Sequence, residues 1–245
     1  MTTRVRLRSL ARRRAERLPE GGPQDVHWVV RDPAWDDLAT NKPGAAASAR
    51  ARQLRREHPL MTTAADLLGM RSEARAFAIG ARGERTVGRK LDRWAARRGW
   101  HVLHAVPVGR RGTDIDHVVI APFGVVTINT KVTGTVVWVG EYGMTVGGIK
   151  VDYVRKSRSE AVRARRLLSR ALGADVPVQS AIVFVAARRF SMVRGGPADV
   201  AVLPSPRALY RWLRRQPPAL AAGQAEAIYQ AARRPATWQP PGGRS

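Results

Sequence analysis

At 245 residues, 44% hydrophobic and 25% charged, the chain has the length and composition to bury a core in one medium domain with extensions. It has no cysteine, which excludes disulfides and thiolate metal sites. Its formal charge of +24, from 43 Lys and Arg against 19 Asp and Glu, opposes self-association and favours polyanionic partners, nucleic acid ahead of an anionic membrane surface. Only five of the basic residues are Lys; a bias in codon usage explains Arg over Lys but not base over acid. No run approaches the ~18 apolar residues of a membrane span. The start, Met1-Thr2-Thr3-Arg4, is basic without the apolar core of a signal peptide. The expectation is a soluble, cytoplasmic chain.

In chain order, residues 1–18 form a basic arm and Gly21-Gly22-Pro23 breaks it. Residues 19–60, punctuated by Pro19, Pro33, Pro43 and Pro59, read as irregular, with Trp28 and Trp35 available for docking. Composition predicts disorder over 1–50. Ala64–Met70 reads as a short helix. From Ala74 a helical pattern runs through Val87, Leu91, Trp94 and Ala95 to Gly99, a C-cap. Trp100–Val106 and Asp116–Ile120 read as strands flanking a basic loop over 107–113. Pro122-Phe123-Gly124 turns the chain so that Val125–Thr130 pairs antiparallel beside the second strand. Thr135–Val139 reads as a strand, and Met144–Val146 with Ile149–Val151 as a hairpin around Gly147-Gly148. Ser157–Leu172 reads as an amphipathic helix ended by Gly173. Val178–Val185 is almost wholly apolar and so predicts a central strand. Val200–Leu203 follows as a strand, then helices over Pro206–Arg215 and Gln224–Arg233. Residues 235–245 read as a loose tail. The pattern predicts an α/β layered core of helix, antiparallel strands, helix and strand. It gives three regions: a partly disordered extension over 1–73, a core over 74–204, and C-terminal helices and tail over 205–245.

The chemistry concentrates on two strands. Alternation puts Asp114 with Asp116 on one face, and Asn129 with Lys131 on one face of the next strand. Acids on one strand beside an amide and a lysine on another suit a hard cation and a phosphate. The bland alternatives are an ion pair for Asp116 and an exposed strand-end lysine for Lys131. Glu84 has the alternative of pairing with Arg85 or Lys90. His117 faces away from Asp116 and reads as a packing histidine. His101 and His104 are three apart on a strand and so face opposite sides, which argues against a shared metal. Gln179 opens the central strand near this region.

Several short motifs agree in order and spacing with a known family. Gly83-Glu84, Gly99-Trp100 leading into Val102-Leu103-His104, Asp114-Ile115-Asp116-His117-Val118-Val119-Ile120, Pro122-Phe123-Gly124-Val125, and Thr130-Lys131 followed by Gly134 resemble the NERD, or nuclease-related, domain. The resemblance runs from about Ala78 to about Ala187. It implies a restriction-endonuclease-like fold of the PD-(D/E)xK class, in which acids and a lysine hold a divalent cation at a scissile phosphate. On that resemblance Glu84, Asp116 and Lys131 are the catalytic residues. Asp116, Glu84, Asn129 and the Thr130 carbonyl are the ligands of Mg²⁺ or Mn²⁺, with Asp114 in reserve. Asn129 stands where the class usually has Glu or Asp.

Arg110 and Arg111 in the basic loop, and Arg155, Lys156 and Arg158 near a helix N-terminus, are placed to contact a nucleic-acid backbone, DNA in the first instance. The two main readings are a divalent-metal-dependent DNA nuclease and a nucleic-acid-binding module whose site is degenerate at Asn129. A peripheral protein on an anionic membrane ranks third, since no amphipathic helix carries large apolar anchors.

Overall fold

Val178–Val185, apolar at all but Gln179 and Ser180, lies inside a sheet between two parallel neighbours, as its composition predicts. In the computed structural model, which describes residues 36–57, 73–108, 114–193 and 195–239, nine strands and five α-helices are defined. The strands are β1 (His101–Pro107), β2 (Asp114–Ala121), β3 (Gly124–Val132), β4 (Val136–Val139), β5 (Met144–Val146), β6 (Ile149–Val151), β7 (Val178–Val185), β8 (Arg189–Met192) and β9 (Val200–Leu203). The helices are α1 (Ala45–Glu57), α2 (Glu73–Arg98), α3 (Tyr153–Leu172), α4 (Pro206–Leu213) and α5 (Gln224–Ala232). The main sheet runs β1-β2-β3-β7-β9, antiparallel through β3 and parallel beyond it. A smaller sheet runs β6-β5-β4-β8.

Helices cover both faces of the main sheet. On one side Ala164, Leu167 and Leu168 of α3 and Ile228 of α5 pack on Leu103, Val118, Ile120 and Val125. On the other, Val87 and Leu91 of α2 and Leu209 and Leu213 of α4 pack on Val119, Val126, Ile128 and Ala181. This is the expected α/β layered core. The small sheet is rooted by Val137, Val139 and Met144 against Ile182, Phe184, Val200 and Val202 of β7 and β9. No helix among the described residues is long and apolar enough to cross a membrane.

Four expectations need correction. The stretch before residue 60, expected to be irregular, contains α1, whose Ala51 and Leu54 are buried against α2. Alanine's helix propensity and small size, which let two helices approach closely, outweigh the polar composition and flanking prolines. The same stretch buries Leu38, and Asp37 is ion-paired with Arg233 far along the chain. Helix α3 begins at Tyr153, a turn before Ser157, because Asp152 pairs with both Arg155 (2.6 Å) and Lys156 (3.1 Å) across its first turn. Strand β8, Arg189-Phe190-Ser191-Met192, is added parallel to β4; its alternation is only four residues long, and Phe190 and Met192 pack against the core of the small sheet. The tail is not loose at its start: Trp238 is fully buried, and its indole N–H donates to the Ala232 carbonyl at 2.6 Å. The basic arm, Trp28, Trp35 and the helix expected over Ala64–Met70 lie outside the described residues.

Candidate active site

Asp116 sits where the β1–β2 pair kinks. The β1–β2 register skips from His104↔His117 to Val106↔Ile115, and Ala105, in the skipped position of β1, has φ 47°. Ile115 shares a core cluster with Val118 and Ile120, so the in-out alternation slips by one residue at Asp116. The β2–β3 ladder ends at His117↔Ile128. Beyond that end the Thr130 backbone N–H donates to Asp116 Oδ2 at 2.6 Å. The carboxylate thus replaces a missing ladder partner and is tied to the strand that carries Lys131.

On β3, Asn129 and Lys131 face α3. Lys131 Nζ donates to Asn129 Oδ1 at 3.2 Å and lies 5.3 Å from the centroid of the Tyr153 ring. The Asn129 amide in turn donates to a carboxylate oxygen of Glu160, on α3. Sequence reasoning missed Glu160. It lies in an Arg-rich helix where a lone acid reads as surface charge, and only the packing of α3 on β3 brings it to Asn129. The Asn129 side chain is a hinge between opposite charges, its oxygen serving the lysine and its NH₂ the glutamate.

Glu84 reaches the cluster from α2, on the other side of the sheet. Its neighbour Gly83 makes that possible: a Cβ there would stand 2.1 Å from Val132 Cγ2 and 3.4 Å from Thr130 Cγ2. Only glycine allows α2 to lie this close to the end of β3. Burial, chiefly, and then the Asp116 charge push the Glu84 carboxyl up to about 7, against the opposing pull of Lys131. Burial also raises Asp116, with Lys131 and the Thr130 amide holding it down. Asp114 is raised by burial and by Asp116. Glu160 is raised by burial, with the Asn129 bond opposing and Asp116 adding to the rise. Asp116 therefore acts on each of the other three acids, and Lys131 offsets Glu84, Asp116 and Glu160, with Arg85 adding at Glu84 and Arg163 at Glu160.

Thr130 is held by its hydroxyl on the opposite face. Its Oγ1 is 3.3 Å from His117 Nε2; His117 Nδ1 is 2.8 Å from His104 Nδ1; His104 Nε2 is 2.8 Å from Asp92 Oδ1. Burial and His104 keep His117 neutral. The three contacts form one continuous chain from Thr130 through His117 and His104 to Asp92, with the donor and acceptor roles set by the tautomers of the two rings. His117 thus faces away from Asp116, as alternation predicts, but as a bonded strut beneath the site strand. The Thr130 hydroxyl is committed to this strut, so the residue offers the site its backbone only. His101 lies apart from His104, stacked on Tyr229 and 3.0 Å from Glu226. Gln179 pairs with Val126, three ladder steps from Asn129, and is not part of the cluster.

The expected nucleic-acid contacts divide. Arg110 and Arg111 lie outside the described residues. Arg155 and Lys156 share Asp152, and Arg158 makes a two-point pair with Asp199. All three remain exposed, but part of their charge is already offset. A cleft of about 670 Å³ opens beside them, lined by Tyr142, Lys150, Tyr153, Arg155 and Arg158.

The donors at the cluster are oxygens: the carboxylates of Glu84, Asp114, Asp116 and Glu160, and backbone and amide carbonyls. That set suits a hard divalent cation such as Mg²⁺. Among the described residues no three acidic or histidine side chains converge on one point. A cation here would take one or two carboxylates and complete its shell with water and phosphate oxygens, the usual habit of Mg²⁺. The residues fit the group on those terms.

No curated protein and no solved structure matches the chain significantly. A family model does: residues 79–185 match the nuclease-related domain, NERD, a span that contains every member of the cluster from Glu84 to Glu160.

Proposed function

We propose that the nuclease-related domain over residues 79–185 is a divalent-cation-dependent nuclease acting on DNA phosphodiester bonds, with Asp116, Lys131 and Glu84 as its catalytic residues. One observation carries this reading: three separate elements, α2, β2 and β3, bring Glu84, Asp116 and Lys131 together at the end of β3, with the Asp116 carboxylate bonded to the backbone of the lysine strand. A structural ion pair would not need a glutamate delivered from across the sheet past a glycine contact.

Asp116 and Glu84 would hold Mg²⁺ or Mn²⁺, with the Thr130 carbonyl and Asn129 Oδ1 as neutral oxygens nearby and Asp114 in reserve. When bound, the cation supplies Lewis-acid chemistry, lowering the pKa of water and offsetting charge on phosphate oxygens. Lys131 orients the phosphate and stabilises the negative charge that grows on it in the transition state. Its ammonium is a compact point charge suited to that task. Arg155, Lys156 and Arg158, with Arg110 and Arg111 from the basic loop, position the nucleic-acid backbone without reading sequence. Tyr142, 93% exposed at the cleft, adds an aromatic face of the kind on which bases stack.

A second reading is favoured by Asn129 itself. A neutral amide stands where the class places an acid, and a site short of one charge would bind DNA without cutting it. Cleavage of labelled single- and double-stranded DNA with Mg²⁺ or Mn²⁺ separates the two. On the nuclease reading, Asp116→Ala and Lys131→Ala each lower the rate on the order of 10²-fold or more. Wild type that binds DNA but cuts neither form would leave the binding-only reading, and variants that cut as well as wild type would remove Asp116 and Lys131 from catalysis.

A further inference from the structure

The neutral residue at position 129 and the unassigned acid on α3 are bonded to each other. We propose that Glu160 supplies from α3 the negative charge that position 129 lacks, acting through its bond to Asn129 beside the cation rather than as a third carboxylate converging with Glu84 and Asp116, so that the charge of the site is kept but displaced from strand to helix. This role for Glu160 rests on the nuclease reading and deepens it.

Charge and geometry both support the assignment. The pattern implied for this class is a helix glutamate, a strand aspartate, a second strand acid and a lysine. Here Glu84, Asp116, Glu160 and Lys131 give the same formal charges, with one acid arriving from a different element. Asn129 and Glu160 are in direct hydrogen-bond contact. A carboxylate at 129 would meet the Glu160 carboxylate at that separation with no proton between them, a like-charge contact that costs both groups. An amide instead offers an N–H₂ to Glu160 and a carbonyl to Lys131, and satisfies both charged neighbours at once. Once Glu160 is in place, asparagine is the residue that the geometry accepts at 129. Helix α3 is also fixed firmly enough to deliver the group. Ser157, one turn before Glu160, is buried and bonded to Ser180 Oγ at 2.7 Å, and Ala161 and Ala164 pack into the core. Glu160 is therefore held over β3 by the same contacts that close the core.

The test is Mn²⁺ binding to the full chain without nucleic acid, by isothermal titration calorimetry, with circular dichroism to confirm folding. Glu160→Gln is expected to weaken Mn²⁺ binding by about 10–100-fold, in the range that supporting groups of metal sites contribute. The exchanged pair Asn129→Asp with Glu160→Gln moves the carboxylate back to the strand and is expected to recover most of that loss. Recovery in the double variant is the decisive result, because a variant that merely misfolds cannot give it. Unchanged Mn²⁺ binding in Glu160→Gln, alongside impaired binding in Asp116→Asn, would overturn the role of Glu160 and leave the nuclease reading standing. Wild type that binds no Mn²⁺ and cuts no DNA would overturn the nuclease reading and the role of Glu160 together.

Discussion

Glu84 is a buried acid that the fold holds against its ordinary ionisation. Burial and the neighbouring Asp116 charge raise its carboxyl from the usual 4.5 to about 7. Between those values the folded chain binds more protons than the unfolded one, so stability falls as pH rises through that window and stays reduced above it. Asp114, Asp116 and Glu160 are raised in the same direction and add to the trend. Glu84→Gln removes a charge that the fold holds at a cost. The variant is expected to melt higher than wild type at about pH 8 and to differ little at about pH 5, where wild-type Glu84 is already protonated. Added Mg²⁺ should stabilise wild type more than the variant at the higher pH, because only wild type keeps the full site. Scanning calorimetry at the two pH values checks both; a variant less stable than wild type at pH 8 would mean that Glu84 holds the fold rather than the site.

At the scale of elements, the site depends on how closely α2 approaches β3. Gly83 sets that distance, with Val132 in the space a Cβ would fill. Gly83→Ala gains up to about 1 kcal/mol of helix propensity. It also drives a methyl into a β-branched side chain with little rotamer freedom, and overpacking of this kind costs about 1–3 kcal/mol. The clash outweighs the propensity. The expected outcome is a net loss of stability in denaturant unfolding, together with weaker metal-dependent cleavage, since moving α2 outward takes Glu84 with it. An alanine variant as stable and as active as wild type would show that the helix sits less tightly than this contact requires.

At the scale of the whole molecule, the formal charge of +24 dominates what the chain meets. Local pairs such as Arg158 with Asp199 and Arg165 with Asp175 offset only a small part of it. Binding to DNA should therefore be driven by phosphate contacts and counterion release. The dissociation constant for a short duplex is expected to rise by about a hundredfold or more between roughly 50 and 200 mM salt, as for proteins making several phosphate contacts. Fluorescence anisotropy over that range measures it. A nearly flat dependence would place the excess charge away from the nucleic acid.

Much of the fold and part of the site were legible in the residues. The apolar run of β7, the turn at Pro122-Phe123-Gly124 and the stripe of Val87, Leu91 and Ala95 marked out the strands and helices of the core. Local periodicity and turn chemistry determine those elements. The DxDH and NTK segments marked the strands of the candidate site, because acids, an amide and a lysine at those positions are hard to account for by packing alone. What local pattern could not supply was anything decided by contact between distant segments. Helix α1 is stable because α2 is there to receive it. Trp238 leaves the tail because a core cavity formed far upstream accepts its ring. Glu160 is one acid in a basic helix until α3 packs on β3 and sets it against Asn129. Composition and periodicity determined that this chain is a basic α/β protein with an acid-and-lysine pair on adjacent strands. Only tertiary packing decided which acids stand beside that pair, because side-chain neighbours across a core are set by three-dimensional fit rather than by spacing along the chain.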